Sequence, residues 1–182
     1  MPRYVVFLRG VNVGGHHRMA MADLRDALEA VGFEAVETYL ASGNVHLETP
    51  ATDGAAVRRD VAAAIDDAFG FDVDVMVRTA GELAAVVAGQ PFDDPAADDP
   101  ADVARYVTFL HEAPDDGAVE ALLAAGSEAE QFIVRDREVY SRLDKAVLGP
   151  GRFTDVGSVL GQPATRRTWT VVTAVADRWG SA

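Results

Sequence analysis

The sequence predicts an α+β fold of two subdomains, each a mainly antiparallel sheet with helices packed on one face. Over residues 1–79 the apolar pattern changes between strand and helix periodicity in the order β-α-β-β-α-β, the split β-α-β or ferredoxin-like unit. Residues 103–142 repeat the order β-α-β-β. Between them lies an acidic, proline-rich stretch. We therefore expect an N-terminal subdomain at 1–89, a linker at 90–102 and a C-terminal subdomain at 103–182 with a helical tail.

The elements of the first subdomain follow from local signals. Leu24, Leu28 and Val31 recur at helical spacing. Thr52 or Asp53 can cap the second helix, and Gly70 can end it. The expected elements are a strand over 4–9, a helix over 21–31, strands over 34–41 and 45–48 around a turn at 42–44, a helix over 53–69 and a strand over 71–77.

The second half is predicted in the same way. Thr79 and Glu82 form a capping box for a helix that ends near Gly89. The further expected elements are a strand over 106–110, a helix that opens at Pro114, a hairpin of 131–134 with 139–142, and a short helix over 154–160.

The tail over 165–179 carries two competing patterns. Apolar residues at 169, 172 and 176 have helical spacing, whereas residues 171, 173 and 175 alternate as in a strand. We expect a helix capped by Thr165, with Arg166 and Arg167 in its first turn. Cations are disfavoured there, and an anionic partner would relieve that cost.

Composition excludes several classes of protein. The 182 residues include no cysteine, which excludes disulfides, thiolate metal sites and a cysteine nucleophile. No apolar run reaches the roughly 18 residues that a membrane span needs. We see no signal-peptide pattern and expect a cytoplasmic protein.

The net charge of −13 is unevenly distributed. Residues 51–134 hold four arginines against eighteen acids, whereas residues 135–182 hold eight basic residues against five acids. An acidic protein is a poor general binder of nucleic acid, because affinity for phosphates comes from basic charge. The acidic middle is best interpreted as a solvated surface, and a local anion site remains open at the two ends.

The stretch 9–18 is the main candidate site. It is a glycine-rich turn between a buried strand and a helix, which can present backbone N–H groups to an anion. In the predicted topology the end of the first strand and the turn at 42–44 lie on the same edge of the sheet. The residues expected to meet there are Arg9, Gly10, Asn12, Gly14, Gly15, Ser42 and Asn44. Alternatively, the glycines only satisfy turns, and Ser42 and Asn44 bond to local backbone.

Familiar motifs do not explain this stretch. The spacing Gly10-xxx-Gly14-Gly15 fits neither the dinucleotide fingerprint nor a Walker A loop. His16 and His17 are best interpreted as exposed loop histidines, so we expect no metal and no cofactor. The guanidinium of Arg9 suits a planar anion, or else a structural salt bridge, for instance to Glu37 or Asp23.

The second half contains a basic set around a Gly-Pro-Gly loop. Its members are Arg142, Lys145, Arg152, Arg166 and Arg167. Arg152 and Arg167 are the candidates for an anionic ligand. Pairing of the set with the acidic middle of the chain is the alternative, and we favour it for the set as a whole.

With these elements placed, the chain resembles the domain of unknown function 1697 family. The resemblance lies in 8–15 (Leu-Arg-Gly-Val-Asn-Val-Gly-Gly), 21–25, Gly32-Phe33, Thr38-Tyr39, 42–45 (Ser-Gly-Asn-Val) and the tail 164–169. It implies a bacterial-type cytoplasmic protein of two α/β subdomains and no established activity. The chain departs from the family at Thr168, where an asparagine is usual, and at 151–153, where Gly-Arg-Phe replaces Ser-Lys-Leu.

The first hypothesis is that the edge formed by the 9–18 and 42–44 turns binds a small anionic ligand, such as a nucleotide or a phosphorylated metabolite. The second is an enzyme, a transferase or hydrolase, that uses the same edge to stabilise negative charge. The third is a protein-interaction module that presents the acidic 90–102 segment or a sheet edge.

Overall fold

The structure is a computed structural model that describes residues 1–93, 98–149 and 151–180. Residues 94–97 of the predicted linker and Pro150 of the predicted Gly-Pro-Gly loop lie outside the described residues. The described chain divides into two compact units. Unit 1 is Met1–Ala85 together with the chain from Ala174 onward, and unit 2 is Val86–Thr173. The subdomain boundaries expected at 90 and 102 stay a prediction.

Unit 1 begins with a β-α-β-β-α-β order. Its elements are β1 (Arg3–Leu8), α1 (Met21–Ala30), β2 (Glu34–Tyr39), β3 (Asn44–Glu48), α2 (Gly54–Phe69) and β4 (Val75–Thr79), followed by α3 (Ala80–Ala88). The strands form one antiparallel sheet in the order β2-β3-β1-β4. This is the ferredoxin-like order, with β3 between the parallel strands β1 and β2.

The core of unit 1 lies between the sheet and the two helices α1 and α2. Tyr4, Val6 and Leu8 of β1 face this core, because alternate residues of a strand point to the same side. Leu24 of α1 and Ile65 of α2 are fully buried against them. The predicted apolar face of α1 is confirmed at Leu24 and Leu28, whereas Val31 lies beyond the end of the helix and is exposed.

Unit 2 contains the second four-stranded sheet. Its elements are β5 (Val103–Leu110), α4 (Asp116–Ala125), β6 (Glu130–Arg135), β7 (Glu138–Asp144), α5 (Lys145–Leu148), α6 (Val156–Leu160) and β8 (Ala164–Thr168), followed by α7 (Trp169–Trp179). The antiparallel order β6-β7-β5-β8 repeats the order of the first sheet. The predicted α+β fold with two ferredoxin-like subdomains is confirmed.

One face of the second sheet packs against α4 and α6. Leu110 and Val139 contribute to this core from the strands, with Leu122 from α4 and Leu160 from α6. Within the described residues, every helix is too short or too polar to cross a bilayer.

Several predicted capping interactions are present. Asp53 accepts a hydrogen bond from the amide of Ala55 at the start of α2, and Gly70 ends that helix with φ +73°. Thr79 and Glu82 exchange the two hydrogen bonds of a capping box at the start of α3.

Two predicted elements are wrong in part. The fourth strand begins at Val75 rather than Phe71, because its register is set by pairing with β1, where Leu8 lies opposite Val75. The tail is not helical from Thr165. Residues Ala164–Thr168 form β8 on the open edge of β5, and the helix begins only at Trp169. Arg166 and Arg167 therefore lie on a strand and not in a first helical turn.

Candidate functional site

The loop between β1 and α1 turns sharply several times. Five of its residues have backbone φ angles in the left-handed region. They are Gly10 (67°), Asn12 (55°), Gly14 (60°), Gly15 (82°) and His17 (45°). A tight turn closes where the amide of His16 donates to the carbonyl of Val13 at 3.1 Å. Glycine adopts such angles without steric cost, so the conformation explains the glycine content of the loop.

Asn12 holds the loop closed and ties it to the β2–β3 turn. Its Nδ2 donates to the carbonyl of Met19 at 3.0 Å and to that of Ala41 at 2.8 Å. Its Oδ1 accepts from the amide of Met19 at 3.0 Å. One amide side chain thus joins both ends of the loop and the turn.

The β2–β3 turn approaches the end of β1 closely. The amide of Leu8 donates to the carbonyl of Gly43 at 2.8 Å. A Cβ atom on Gly43 would lie 2.7 Å from Cβ of Leu8 and 2.8 Å from Cγ2 of Val11. The two turns that the sequence placed on one edge are therefore in direct contact.

Ser42 and Asn44 shape the turn from within. Asn44 is fully buried, and its Nδ2 donates to the carbonyl of Tyr39 at 2.7 Å and to Oγ of Ser42 at 3.2 Å. These bonds are the local role that the alternative interpretation assigned to both residues.

The side chain of Arg9 pairs with a residue next to β4, on the side of β1 opposite the β2–β3 turn. Its Nη1 lies 2.9 Å from Oδ2 of Asp74, and its amide donates to the carbonyl of Asp74 at 3.0 Å. Asp74 immediately precedes β4, which flanks β1 on the side opposite β3. The structure thus pairs Arg9 with Asp74, rather than with Glu37 or Asp23, and directs it away from the Ser42–Asn44 turn.

A groove of about 620 Å³ opens between the loop and the start of α1. Its lining residues are Asn12, Gly15, Arg18, Met19, Ala20, Met21 and Ala41. Helix α1 begins at this groove with Ala20 as its N-cap, and no described side chain caps it. The N–H groups of the first turn are therefore not satisfied by a side chain, and the helix dipole adds a partial positive charge.

Arg18 lies within the predicted 9–18 stretch but was not among the residues expected to contact a ligand. It is exposed, it lines the groove, and no hydrogen bond or ion pair within the described residues engages its guanidinium. A Cβ on Gly15 would lie 3.8 Å from its Nη2, so the side chain lies beside the loop glycines. Two features of the sequence point to Arg18. It lies three residues before the helix, and residues 1–22 contain no acidic side chain.

One of the two loop histidines, His17, packs against an aromatic ring. The ring of His17 stacks on the ring of Phe71 with centroids 4.6 Å apart and planes 13° from parallel. Among the described residues there is no group of three potential metal ligands.

The basic residues of unit 2 are largely engaged. Arg167 is buried on β8, and its Nη1 donates to Oγ1 of Thr165 at 2.8 Å and to the carbonyl of Arg166 at 3.0 Å. Burial lowers the pKa of Arg167 to about 10. Arg152 is exposed in the segment before α6.

Two further members of that basic set contact the segment before β5. Arg142 bonds to Oδ1 of Asp98 at 3.0 Å, and Lys145 donates to the carbonyl of Pro100. For Arg142 this is the alternative pairing with an acid of the middle of the chain, whereas the partner of Lys145 is a backbone carbonyl.

Comparison with known proteins agrees with the fold. A family described as "Protein of unknown function (DUF1697)" matches residues 1–140. The structure of a conserved bacterial protein, SP0830, from Streptococcus pneumoniae superposes with a TM-score of 0.71 at 19% identity, over 100% of this chain and 99% of that one. At that identity the similarity shows the fold alone. No curated protein matches the chain.

Proposed function

The chain belongs to the DUF1697 family of proteins of unknown function, and we propose that it binds a small anionic ligand, a nucleotide or another phosphorylated metabolite. The ligand would occupy the groove between the 12–19 loop and α1. The observation that carries the proposal is the presence of an uncapped helix N-terminus and an unpaired arginine, Arg18, in one groove.

The electrostatics of the groove favour negative charge. The N-terminus of an α-helix carries roughly half a positive charge, and its free N–H groups point out along the helix axis. Arg18 adds a full charge with a planar set of donors that suits phosphate oxygens. Because no described residue pairs with it, Arg18 would not have to break an ion pair in order to bind.

The size and apolar lining of the groove suit an organic phosphate. Ligand sites typically occupy roughly 300–1,000 Å³, which includes the volume of this groove. Met19, Ala20 and Met21 provide apolar surface beside Arg18. The apolar part would contact the body of the ligand, and the donors would contact its phosphate.

The lining also favours binding over catalysis. Arg18 is the one ionisable side chain among the described lining residues, and an arginine remains protonated at neutral pH. A transferase or hydrolase that relied on proton transfer would need a titrating group within hydrogen-bond reach of the substrate. We therefore propose a binding role ahead of an enzymatic one.

The test is a thermal-shift and calorimetric series with AMP, ATP, ribose 5-phosphate and inorganic phosphate. A binder at 100 times its dissociation constant should stabilise the protein by about 2.7 kcal/mol. Replacing Arg18 with alanine should weaken binding roughly tenfold or more, because hydrogen bonds to charged groups contribute about 1.5–3 kcal/mol. Arg59→Ala is the matched control, since it removes an exposed arginine from α2.

Arg9→Ala tests the sequence-based assignment of Arg9 separately. A loss confined to Arg18→Ala would assign the charge contact to Arg18, whereas a loss in Arg9→Ala would require Arg9 to leave Asp74 when the ligand binds. Unaltered melting with all four compounds, or equal binding by the wild type and Arg18→Ala, would contradict the proposal.

A further inference from the structure

We propose that unit 2 carries a second, separate site, organised by Arg166, for a small organic oxyanion such as a carboxylate or a phosphate monoester. The inference does not rest on the groove in unit 1. It rests on how the guanidinium of Arg166 is held, on which of its donors are used, and on the polar groups around it.

Arg166 is clamped between two aromatic rings. Its guanidinium carbon lies 4.2 Å from the ring centroid of Tyr106 and 3.9 Å from that of Phe153. The register explains the first contact: Arg166 on β8 lies opposite Thr108 on β5, so Tyr106 is its diagonal neighbour on the same face. Contacts with two rings at these distances restrict the orientations open to the guanidinium, and its N–H groups are the donors that a ligand would use.

Those N–H groups have no acceptor within the described chain. No hydrogen bond or ion pair there engages the Arg166 side chain, although the residue is half-buried. A planar arginine held in one orientation is suited to bidentate binding of a carboxylate or phosphate. Because the clamp has already ordered the side chain, less conformational entropy is lost when it binds.

Thr108 supplies a second, independent indication. Its side chain is 3% exposed, and its Oγ1 has no hydrogen-bond partner among the described residues. It lies directly across from Arg166 on the same face of the sheet. A buried hydroxyl without a partner is costly, and an oxyanion held by Arg166 would give it one.

The outer ring of the clamp is held by a buried carboxylate. Glu130 is 5% exposed, and its two oxygens accept from the amide and from Oγ1 of Thr154, each at 2.8 Å. Thr154 directly follows Phe153, so this pair of bonds fixes the segment that places Phe153 over Arg166.

A pocket of about 240 Å³ has Tyr106 in its wall and offers room for the body of such a ligand. Ala104, Tyr106 and Thr168 line it from the same sheet face as Arg166. Trp169 and Lys145 also line it, and the lysine adds positive charge. The acid in its wall, Asp98, is compensated by two arginines, one of which lines the pocket.

The experiment titrates the full chain with phenyl phosphate, benzoate and inorganic phosphate. Calorimetry gives the affinities, and NMR follows the arginine Nε–H resonances, of which the one missing in Arg166→Lys belongs to Arg166. We expect that resonance to shift on titration. Binding should weaken roughly ten- to a hundredfold in Arg166→Ala. A higher affinity for phenyl phosphate would identify the oxyanion as a phosphate, and a higher affinity for benzoate would identify it as a carboxylate. Either result supports the site.

Three variants complete the test. Arg166→Lys keeps the charge but lacks the planar fork, and Phe153→Leu loosens the clamp, so both should bind more weakly than the wild type. The Arg166 resonance should shift in Arg18→Ala as it does in the wild type, which separates this site from the groove in unit 1, and Arg59→Ala is the control for net charge. If circular dichroism shows that Arg166→Ala is unfolded, the test rests on the affinities of Arg166→Lys and Phe153→Leu. Wild-type affinity in the Arg166 variants, or an Arg166 resonance unmoved by all three probes, would overturn the inference.

Discussion

At the scale of single residues, Gly43 determines how closely the β2–β3 turn can approach β1. Its φ is +79°, and a Cβ atom would meet side-chain atoms of Leu8 and Val11 at 2.7 and 2.8 Å. Both neighbours are fully or almost fully buried, so neither can move away without disturbing the core.

Replacing Gly43 with alanine should therefore lower the free energy of unfolding by about 3 kcal/mol. Left-handed backbone costs a non-glycine residue about 1–2 kcal/mol, and overpacking of a core adds about 1–3 kcal/mol. Urea denaturation gives the value. Gly70→Ala is the matched control, because its φ is +73° and nothing lies within 4 Å of the added Cβ, so it should cost about 1 kcal/mol. Equal losses in the free energy of unfolding for the two variants would show that the side chains of Leu8 and Val11 can move aside without destabilising the core.

The candidate site was predictable at this scale only in part. The glycines and the order of strands placed the two turns on one edge, because topology alone fixes that. The roles of individual polar residues were not predictable, since they depend on side-chain direction. Arg9 pairs with Asp74 just before the neighbouring strand β4, whereas Asn12 makes the contact to Ala41.

At the scale of elements, Asp98 joins the segment before β5 to two strands. Arg105 on β5 and Arg142 on β7 lie directly opposite each other, a placement that like charges disfavour. Asp98 bonds to both, with Oδ2 2.5 Å from Nη2 of Arg105 and Oδ1 3.0 Å from Nη2 of Arg142. These two bonds hold the pKa of Asp98 below its ordinary value of 3.8, and the bond to Arg142 has the larger effect.

Asp98→Asn should lower the free energy of unfolding by about 2 kcal/mol at pH 7, because it removes the charge that separates two arginines. The folded-state pKa is lowered, so the stabilisation is complete above 3.8 and is lost as the pH falls through the folded-state value. The difference in stability between wild type and variant should thus shrink as the pH is lowered below 3.8. Urea denaturation at pH 7 and at a series of lower pH values measures this.

Asp60→Asn serves as the control for the Asp98 measurement. Its ion pair with Arg59 is open to solvent, with the two side chains 53% and 73% exposed, so the variant should change stability by less than about 0.5 kcal/mol. A destabilisation by Asp98→Asn that persists at low pH would point to lost packing rather than lost charge.

The tail shows what sequence periodicity cannot resolve in an element. The strand β8 buries Thr165 and Arg167, so its alternation is polar and gives no apolar signal. The open edge of β5 decides its conformation, and that edge exists only in the folded unit. The helices α1 and α2, by contrast, were predictable because their buried faces are apolar and their ends carry local signals.

At the scale of the whole molecule, the end of the chain belongs to the same compact unit as its beginning. Trp179, 6% exposed at the end of α7, donates from Nε1 to Oε2 of Glu37 on β2 at 3.1 Å, across 142 residues of sequence. Its ring lies 5.7 Å from that of His46 on β3. The guanidinium of Arg178 lies 4.7 Å from the ring centroid of Tyr39. These contacts place the last turn of α7 on the β2–β3 hairpin.

Trp179→Ala should therefore destabilise the protein by about 3–5 kcal/mol, as removal of a buried tryptophan usually does. Trp179→Phe keeps an aromatic ring over His46 but loses the bond to Glu37, so it should cost about 1 kcal/mol. Urea denaturation followed by circular dichroism gives both values, and amide exchange in β2 and β3 locates the effect. Faster exchange in these strands in Trp179→Ala would show that the hairpin depends on the tail for its stability. Alternatively, the alanine variant could cost less than about 1 kcal/mol and leave amide exchange in β2 and β3 unchanged. Unit 1 would then be stable without the tail, as independent folding of the predicted 1–89 subdomain requires.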